Sequence, residues 1–200
     1  MKKIMFKDRF GLTQAVLEGR KTQTRRIMKG KPLFPTDEIE SAGILGDEVQ
    51  IIANGGESLI TMKLPYKKGE VLAVAQKYKD VFENQQDETL ELLDLRLTKG
   101  WNNKMCVRSD LMPHQIRITN VRVERLQDIS DEDCLKEGII KGKVGSEDTH
   151  FMDAYYIPTL KKDPFCTPQG AYSYLIDKIS GKGTWENNPY VFVYDFELVK

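Results

Sequence analysis

The chain has 200 residues, 40% of them hydrophobic and 30% charged, and its thirty basic residues balance its thirty acidic ones. This composition is typical of a globular protein with a hydrophobic core and argues against a disordered chain. No apolar run approaches the roughly 20 residues that a membrane-spanning helix needs. No apolar signal-peptide core follows the basic start, so we expect a cytoplasmic protein without a membrane partner.

The first 31 residues carry most of the excess positive charge. They hold ten basic residues against two acidic ones, whereas acidic clusters follow at 37–40, 80–94 and 128–137. A basic segment in a neutral chain is typical of an anion-binding face for phosphate or nucleic acid. A solvated basic surface, paired loosely with the acidic stretches, explains the same pattern.

The N-terminal half predicts short elements separated by loops. Residues 3–6 suit a strand, and residues 10–18 suit a helix that Gly19 ends. Glycines and prolines make residues 29–47 loop-like. Residues 49–53 and 58–64, separated by Asn-Gly-Gly-Glu, predict a β-hairpin.

The middle of the chain predicts one buried strand, one long strand and an acidic excursion. The small apolar run within residues 70–78 is typical of a buried strand. Leucines at helical spacing in the acidic segment 80–97 predict a surface helix or excursion. Residues 104–107 suit a short strand. Residues 116–126 alternate between apolar and polar side chains, and the phase slips near Asn120, which predicts a β-bulge.

The C-terminal part predicts two helices and a final strand. Ser130 is a suitable cap for a helix that runs through Glu137. Residues 141–170 have the composition of an insertion. Residues 169–179 carry an apolar stripe at helical spacing, which predicts a helix. Along residues 190–199 large apolar and aromatic side chains recur at every second position, which predicts a strand. Because strands and helices do not alternate regularly, we expect a mixed, mainly β fold: a small β-barrel with helices at its rim.

Neither a metal site nor a nucleotide-binding fingerprint is evident. Cys106, Cys134 and Cys166 are odd in number and far apart, and His114 and His150 are the only histidines. We therefore expect reduced cysteines and no metal. The sequence also lacks the glycine-rich dinucleotide and P-loop motifs, and we expect no cofactor.

Several segments, in a fixed order, resemble one known family. They are Gly19-x-Lys21-x-x-Thr24-x-Arg26, Lys68-Gly69-Glu70, Met112-Pro113 before Arg117-Ile118-Thr119, Glu137-Gly138, and Asn188-Pro189 before the last strand. The chain resembles ASCH domains of the PUA-like superfamily, and most closely the longer phage and prophage members. The resemblance implies a single PUA-like domain over residues 1–200, with insertions near 30–48, 80–100 and 141–168.

The resemblance also implies a cleft for RNA or a nucleoside. Small bacterial members deacylate N4-acetylcytidine, and their catalytic Lys, Thr and Glu correspond to Lys21, Thr24 and Glu137. This chain departs from the family pattern at Ala75-Gln76, where many members have Arg-Glu, and is about twice as long as the compact amidohydrolases. The departures bear on the enzymatic activity more than on the fold.

Three functions stay open at this point. The first is binding of RNA or a nucleotide-like or nucleoside-like ligand in a basic cleft. The second is an amidohydrolase in which Thr24 is the nucleophile, Lys21 the base and Glu137 the proton relay. The third is an interaction protein with a vestigial cleft. The residues predicted to bind the ligand are Arg20, Arg25, Arg26, Gln76, Arg117 and Trp185, although aromatic residues such as Trp185 more often belong to the core.

The residues alone do not determine whether the pKa of Lys21 is raised or lowered. Neighbouring arginines lower the pKa of a lysine by like-charge repulsion, whereas Glu137 raises it. Side chains alternate along a flat strand, which would place Lys21 and Thr24 on opposite faces. Both can face one ligand only if the chain turns just after Gly19. A surface anion patch, with Glu137 as an ion-pair partner, is the simpler alternative.

Overall fold

The computed structural model describes residues 1–28, 39–53, 58–83, 89–147, 150–160 and 164–199. Within these ranges the fold is mixed α+β and mainly β. The strands are β1 (Lys3–Ile4), β2 (Gln23–Ile27), β3 (Ile39–Leu45), β4 (Glu48–Ala53), β5 (Ser58–Lys63), β6 (Val71–Val74), β7 (Gln115–Arg125), β8 (Ile140–Val144), β9 (Met152–Tyr156) and β10 (Tyr190–Leu198). The helices are α1 (Leu12–Leu17), α2 (Tyr78–Phe82), α3 (Leu90–Leu97), α4 (Asp131–Lys136) and α5 (Pro168–Ser180).

A five-stranded sheet forms the centre of the fold. Its strand order is β1-β6-β7-β10-β2, in which β1 and β6 are parallel and the other pairs are antiparallel. The described strands therefore form an open sheet with β1 and β2 at its edges, and the predicted barrel is not confirmed. The main hydrophobic core includes side chains of this sheet together with α1 and α5.

A side chain links the two edges of this sheet. Arg26 on β2 donates from Nη2 to the carbonyl oxygen of Met5, one residue after β1, at 2.7 Å. The ring of Phe6 lies 5.8 Å from that of Phe196 on β10. Successive side chains of a strand point to opposite faces, so Thr24 and Arg26 share one face of β2. The edges thus approach each other over this face.

The long strand contains the bulge that its sequence predicts. Asp195 pairs with Asn120, but the next residue, Phe196, pairs with Ile118, so β7 has one extra residue there. Thr119 is that residue. The bulge reconciles the two phases of apolar alternation in β7.

Two smaller sheets include strands, β3, β8 and β9, in segments where no strand is predicted. β3 pairs with β4, and β4 with β5, so the predicted hairpin is confirmed and gains a third strand; its turn, residues 54–57, lies outside the described residues. β8 and β9 form a second hairpin within the predicted insertion at 141–168. The prediction of a loop at 29–47 is therefore wrong for β3, and residues 29–38 lie outside the described part.

Two other strand predictions need correction. Residues 104–107 contain a 3-10 turn, Lys104–Cys106, because the Asn103 side chain accepts a hydrogen bond from the Met105 amide. The strand predicted for 70–78 ends at Val74, and the ring of Tyr78 packs in a second hydrophobic cluster with Ala73 and Ala75. In both segments tertiary packing, and not the local sequence pattern, determines the secondary structure.

Candidate functional site

The segment after α1 turns before it becomes a strand. Gly19 has a left-handed φ of 71°, and the Lys21 amide donates to the carbonyl oxygen of Ala15 at 2.9 Å. β2 begins only at Gln23 and pairs with β10, which places Thr24 opposite Tyr194. Lys21 therefore precedes the strand, so strand alternation does not separate it from Thr24.

Glu137 is positioned by the end of α4. The Ser130 hydroxyl accepts a hydrogen bond from the Asp133 amide at 3.1 Å and starts the helix, as predicted. Glu137 is the residue at the C-terminal cap, and Gly138 follows with a left-handed φ of 106°. A Cβ at Gly138 would lie 3.2 Å from Leu12 and 3.7 Å from the Lys21 side chain, so a glycine allows the close approach.

Lys21 and Glu137 form a buried ion pair. The Lys21 Nζ lies 2.5 Å from Glu137 Oε2 and also donates to the Glu137 carbonyl oxygen at 2.8 Å. Their side chains are 2% and 6% exposed. Burial lowers the pKa of Lys21 below its ordinary value of 10.5; Glu137 opposes this shift, whereas Arg26 and Arg25 add to it. Within the described part of the chain, Glu137 is therefore the one carboxylate that pairs with the buried Lys21 ammonium.

Arg25 holds the other oxygen of Glu137. Its side chain is fully buried, and its Nη1 lies 3.4 Å from Glu137 Oε1. Its Nη2 lies 2.5 Å from Glu124 and 3.0 Å from Asp133. The Gln23 side chain also accepts a hydrogen bond from Arg25. Arg25, which the sequence predicts as a ligand-binding residue, is thus surrounded by carboxylates of the protein itself.

A cleft of about 830 Å³ adjoins this cluster. Lys21, Thr24, Arg25, Arg26 and Glu137 all line it. Its apolar wall includes Met5, Phe6, Leu12, Leu175, Ile176 and Phe192. The structure therefore brings together the three residues of the predicted catalytic set and two of the predicted ligand-binding arginines.

Two polar groups near Thr24 have no partner in the described part of the chain. Thr24 is a buried residue in the wall of the cleft, and its hydroxyl makes no hydrogen bond to the described residues. Arg26 Nε is likewise buried without a hydrogen bond, although its guanidinium lies 5.6 Å from the Phe6 ring. Buried polar atoms in native proteins normally have partners, so Arg26 Nε, together with the unpartnered Thr24 hydroxyl, is available to a ligand or to water.

The other predicted ligand-binding residues do not line the cleft. Arg20 is exposed and paired with Glu18, and Arg117 is paired with Glu197. Trp185 packs edge-on against Tyr172, with ring centroids 6.3 Å apart, which is the core position that its sequence context allows. Gln76 has a buried Oε1 without a hydrogen-bond partner among the described residues. The roles of these four residues stay predictions.

The sequence analysis did not identify several residues that contact Arg25 or line the cleft, because they belong to segments distant in sequence. Asp133 and Glu124 bind Arg25, and Lys7, Lys63 and Lys104 line the cleft. Lys63 belongs to β5, which shares no sheet with the central strands. The only available signal was the surplus of basic residues near the N-terminus, which includes Lys7.

Comparisons with protein-family models, with curated proteins and with solved structures found no match. None of the helices in the described ranges has both the length and the apolar character to cross a membrane. In the same ranges, no group of three or more His, Cys, Asp or Glu side chains is arranged to hold a metal ion.

Proposed function

We propose that the cleft binds a nucleoside unit, offered as a free nucleoside, a nucleotide or part of an RNA. The observation that carries this proposal is the composition of the cleft lining, which combines apolar side chains with the polar groups of Lys21, Thr24 and Arg26. Small-molecule sites are commonly clefts of about 300–1,000 Å³ with apolar walls and a few polar groups that orient the ligand. A nucleobase has this division between apolar faces and polar edges.

The resemblance to ASCH domains supports the same proposal. Lys21 and Glu137 are 116 positions apart, yet they correspond to two residues of one site in the family pattern and are in contact here. The open sheet, with edges linked by Arg26, is compatible with the PUA-like barrel that we propose for this chain.

Calorimetric titration tests the binding proposal. Cytidine, uridine, adenosine and guanosine would be titrated into the protein, and each would be compared with a short RNA. We expect saturable binding of at least one nucleoside, weakened by Arg26→Gln. Arg108→Gln is the matched control, because Arg108 is exposed, pairs with Asp110 and does not line the cleft. Absence of binding by every nucleoside and by RNA would overturn the proposal.

A second candidate function is hydrolysis of an N4-acylated cytidine. The observation that favours it is the unpartnered Thr24 hydroxyl in the same cleft as a lysine whose pKa is lowered. In this proposal the deprotonated fraction of Lys21, which a lowered pKa increases, takes the hydroxyl proton while Thr24 Oγ1 attacks the acyl carbon. The C–N bond breaks, and Glu137 relays the proton to the departing amine. Water then cleaves the acyl ester and restores the Thr24 hydroxyl.

Substitutions at Thr24 separate the two functions. If Thr24 is the nucleophile, Thr24→Val abolishes cytidine release from N4-acetylcytidine and leaves binding intact, while Thr24→Ser keeps some activity. If Thr24 only donates a hydrogen bond, Thr24→Val weakens binding by about 0.5–1.5 kcal/mol. Mass spectrometry follows the products and calorimetry the affinity. Full deacylation by Thr24→Val would exclude the nucleophile role.

A further inference from the structure

The cleft carries more positive charge than its own carboxylates neutralise. Six basic residues line it: Lys7, Lys21, Arg25, Arg26, Lys63 and Lys104. Three of these are compensated within the protein. Glu137 binds Lys21 and Arg25, and Asp8 lies 2.7 Å from the Nζ of Lys104.

The other three have no carboxylate within ion-pair distance in the described part of the chain. They are Lys7, Arg26 and Lys63, and the first and last of them are exposed. Glu48 lies opposite Lys63 in the β4–β5 register, but the two side chains form no ion pair. Arg26 uses Nη2 on the Met5 carbonyl oxygen and leaves Nε without a partner.

These three cations come from separate parts of the fold. Arg26 belongs to β2, Lys63 ends β5, and Lys7 follows β1. The hydrogen bond from Arg26 to Met5 places the guanidinium next to the segment that carries Lys7. Like charges that share a cleft repel one another, and a bound anion removes that repulsion.

The positions of the neutralised and the uncompensated cations indicate where in the cleft an anion binds. The buried end of the cleft holds Lys21 with Glu137 and is internally neutralised. The uncompensated cations include the two exposed lysines, which lie where the cleft meets solvent. A nucleoside has no charge to match them, whereas a phosphate group carries up to two negative charges and accepts hydrogen bonds from both ammonium and guanidinium groups.

We propose that Lys7, Arg26 and Lys63 form a phosphate subsite at the mouth of the cleft, so that the ligand is a phosphorylated nucleoside rather than a free one. This inference rests on the proposed function, because the nucleoside unit occupies the adjoining apolar part of the cleft. The phosphate belongs either to a free nucleotide or to an RNA, and the two sources share the same chemistry at the subsite.

Calorimetry with three small probes tests the subsite: cytidine, cytidine 5′-monophosphate and inorganic phosphate. We expect the monophosphate to bind about tenfold more tightly than cytidine at low salt, with an advantage that falls as salt rises. Lys7→Gln and Lys63→Gln remove most of this advantage and leave cytidine binding unchanged. Lys143→Gln is the matched control, because Lys143 is an exposed lysine of β8 that does not line the cleft.

The outcomes distinguish failure of the subsite from failure of the proposed function. Equal affinity for cytidine and its monophosphate, or equal losses for both in the lysine variants, would overturn the subsite and leave the nucleoside proposal standing. Binding of phosphate that depends on Lys7 and Lys63, without any binding of cytidine, would support the subsite; the nucleoside proposal is overturned as well only if the other three nucleosides and RNA also fail to bind. No binding of any of the three probes overturns the subsite. An oligocytidylate that binds more tightly than the monophosphate identifies RNA as the source.

Discussion

The Nζ of Lys21 and Oε2 of Glu137 lie 2.5 Å apart in a position from which water is almost excluded. Two ions in such a place lose hydration, and their mutual attraction offsets that loss only while both are present. Arg25 contacts the other carboxylate oxygen of Glu137 but is also paired with Glu124 and Asp133. Loss of the Glu137 charge therefore leaves Lys21 uncompensated, whereas loss of the Lys21 charge leaves Glu137 with Arg25.

The first prediction follows from this imbalance. Glu137→Gln leaves the buried ammonium of Lys21 without its carboxylate, and we expect a loss of about 3–5 kcal/mol in the free energy of unfolding. Lys21→Met leaves Glu137 with Arg25 and costs less, about 1–3 kcal/mol. In the double variant the loss is at least about 1 kcal/mol smaller than the sum. Urea denaturation of the four proteins measures the cycle, and additive losses would contradict the coupling.

The second prediction concerns alkaline pH. Burial lowers the pKa of Lys21 in the folded protein below 10.5, so between the two values the unfolded chain binds more protons than the folded one. The free energy of unfolding then rises with pH in this window. Relative to Lys21→Met, the wild-type protein should gain stability as the pH is raised from neutrality towards 10.5. A relative loss over the same range would show that Glu137 outweighs burial.

The third prediction concerns acid. The pKa of Asp133 lies below its ordinary value of 3.8: burial opposes this shift, but hydrogen bonds from Arg25 and Gln23 and the charge of Arg122 outweigh it. Its stabilisation is therefore complete above 3.8 and disappears as the pH falls through the lowered value. We expect Asp133→Asn to cost about 1.5–3 kcal/mol at neutral pH and progressively less in acid.

An exposed carboxylate provides the control for Asp133. Asp153 lies 2.7 Å from Lys141, but both side chains are about half exposed, so Asp153→Asn should change stability by less than about 1 kcal/mol. Chemical denaturation at several pH values measures both variants. A cost of Asp133→Asn that does not change with acidification would mean that the carboxylate charge contributes nothing.

The fourth prediction compares two buried tyrosines. The Tyr194 hydroxyl is buried and has no hydrogen-bond partner in the described part of the chain, whereas the Tyr78 hydroxyl accepts from the Arg108 amide at 2.8 Å. Tyr194→Phe removes an unsatisfied group and should leave stability unchanged or raise it by about 1 kcal/mol. Tyr78→Phe should cost about 1–2 kcal/mol. A comparable loss in both variants would reveal a partner for Tyr194, such as an ordered water.

The sequence pattern predicts the parts of the fold that have a strong contrast between buried and exposed side chains. β7 and β10 alternate, α4 has a recognisable cap at Ser130, and α5 carries an apolar stripe. β3 and β8 have mostly exposed or half-buried residues, so their sequences lack the alternation that indicates a strand. Pairing with a neighbouring strand, which no local pattern encodes, makes these segments extended.

The candidate site was predictable only where its residues are close in sequence or match the family pattern. Lys21, Thr24 and Arg26 fall within one short motif, and Glu137 entered through the resemblance. Whether Lys21 and Thr24 share a face depended on a turn that local alternation does not reveal. The side chain of Arg25 was predicted to bind a ligand, but carboxylates from β7 and α4 surround it, and their approach depends on tertiary structure.

The pairing of β2 with β10 has a consequence for synthesis of the protein. Gln23 and Asp195, which share a hydrogen bond across these strands, are 172 positions apart. Contacts of such separation close late, because a long loop must be ordered before they form. While the chain emerges from the ribosome, the β2 segment with Thr24 and Arg26 is synthesised long before β10, the strand that pairs with it. The cleft therefore assembles only after translation has passed β10, and a chain that stalls earlier exposes a basic, unpaired strand edge to the RNA around it.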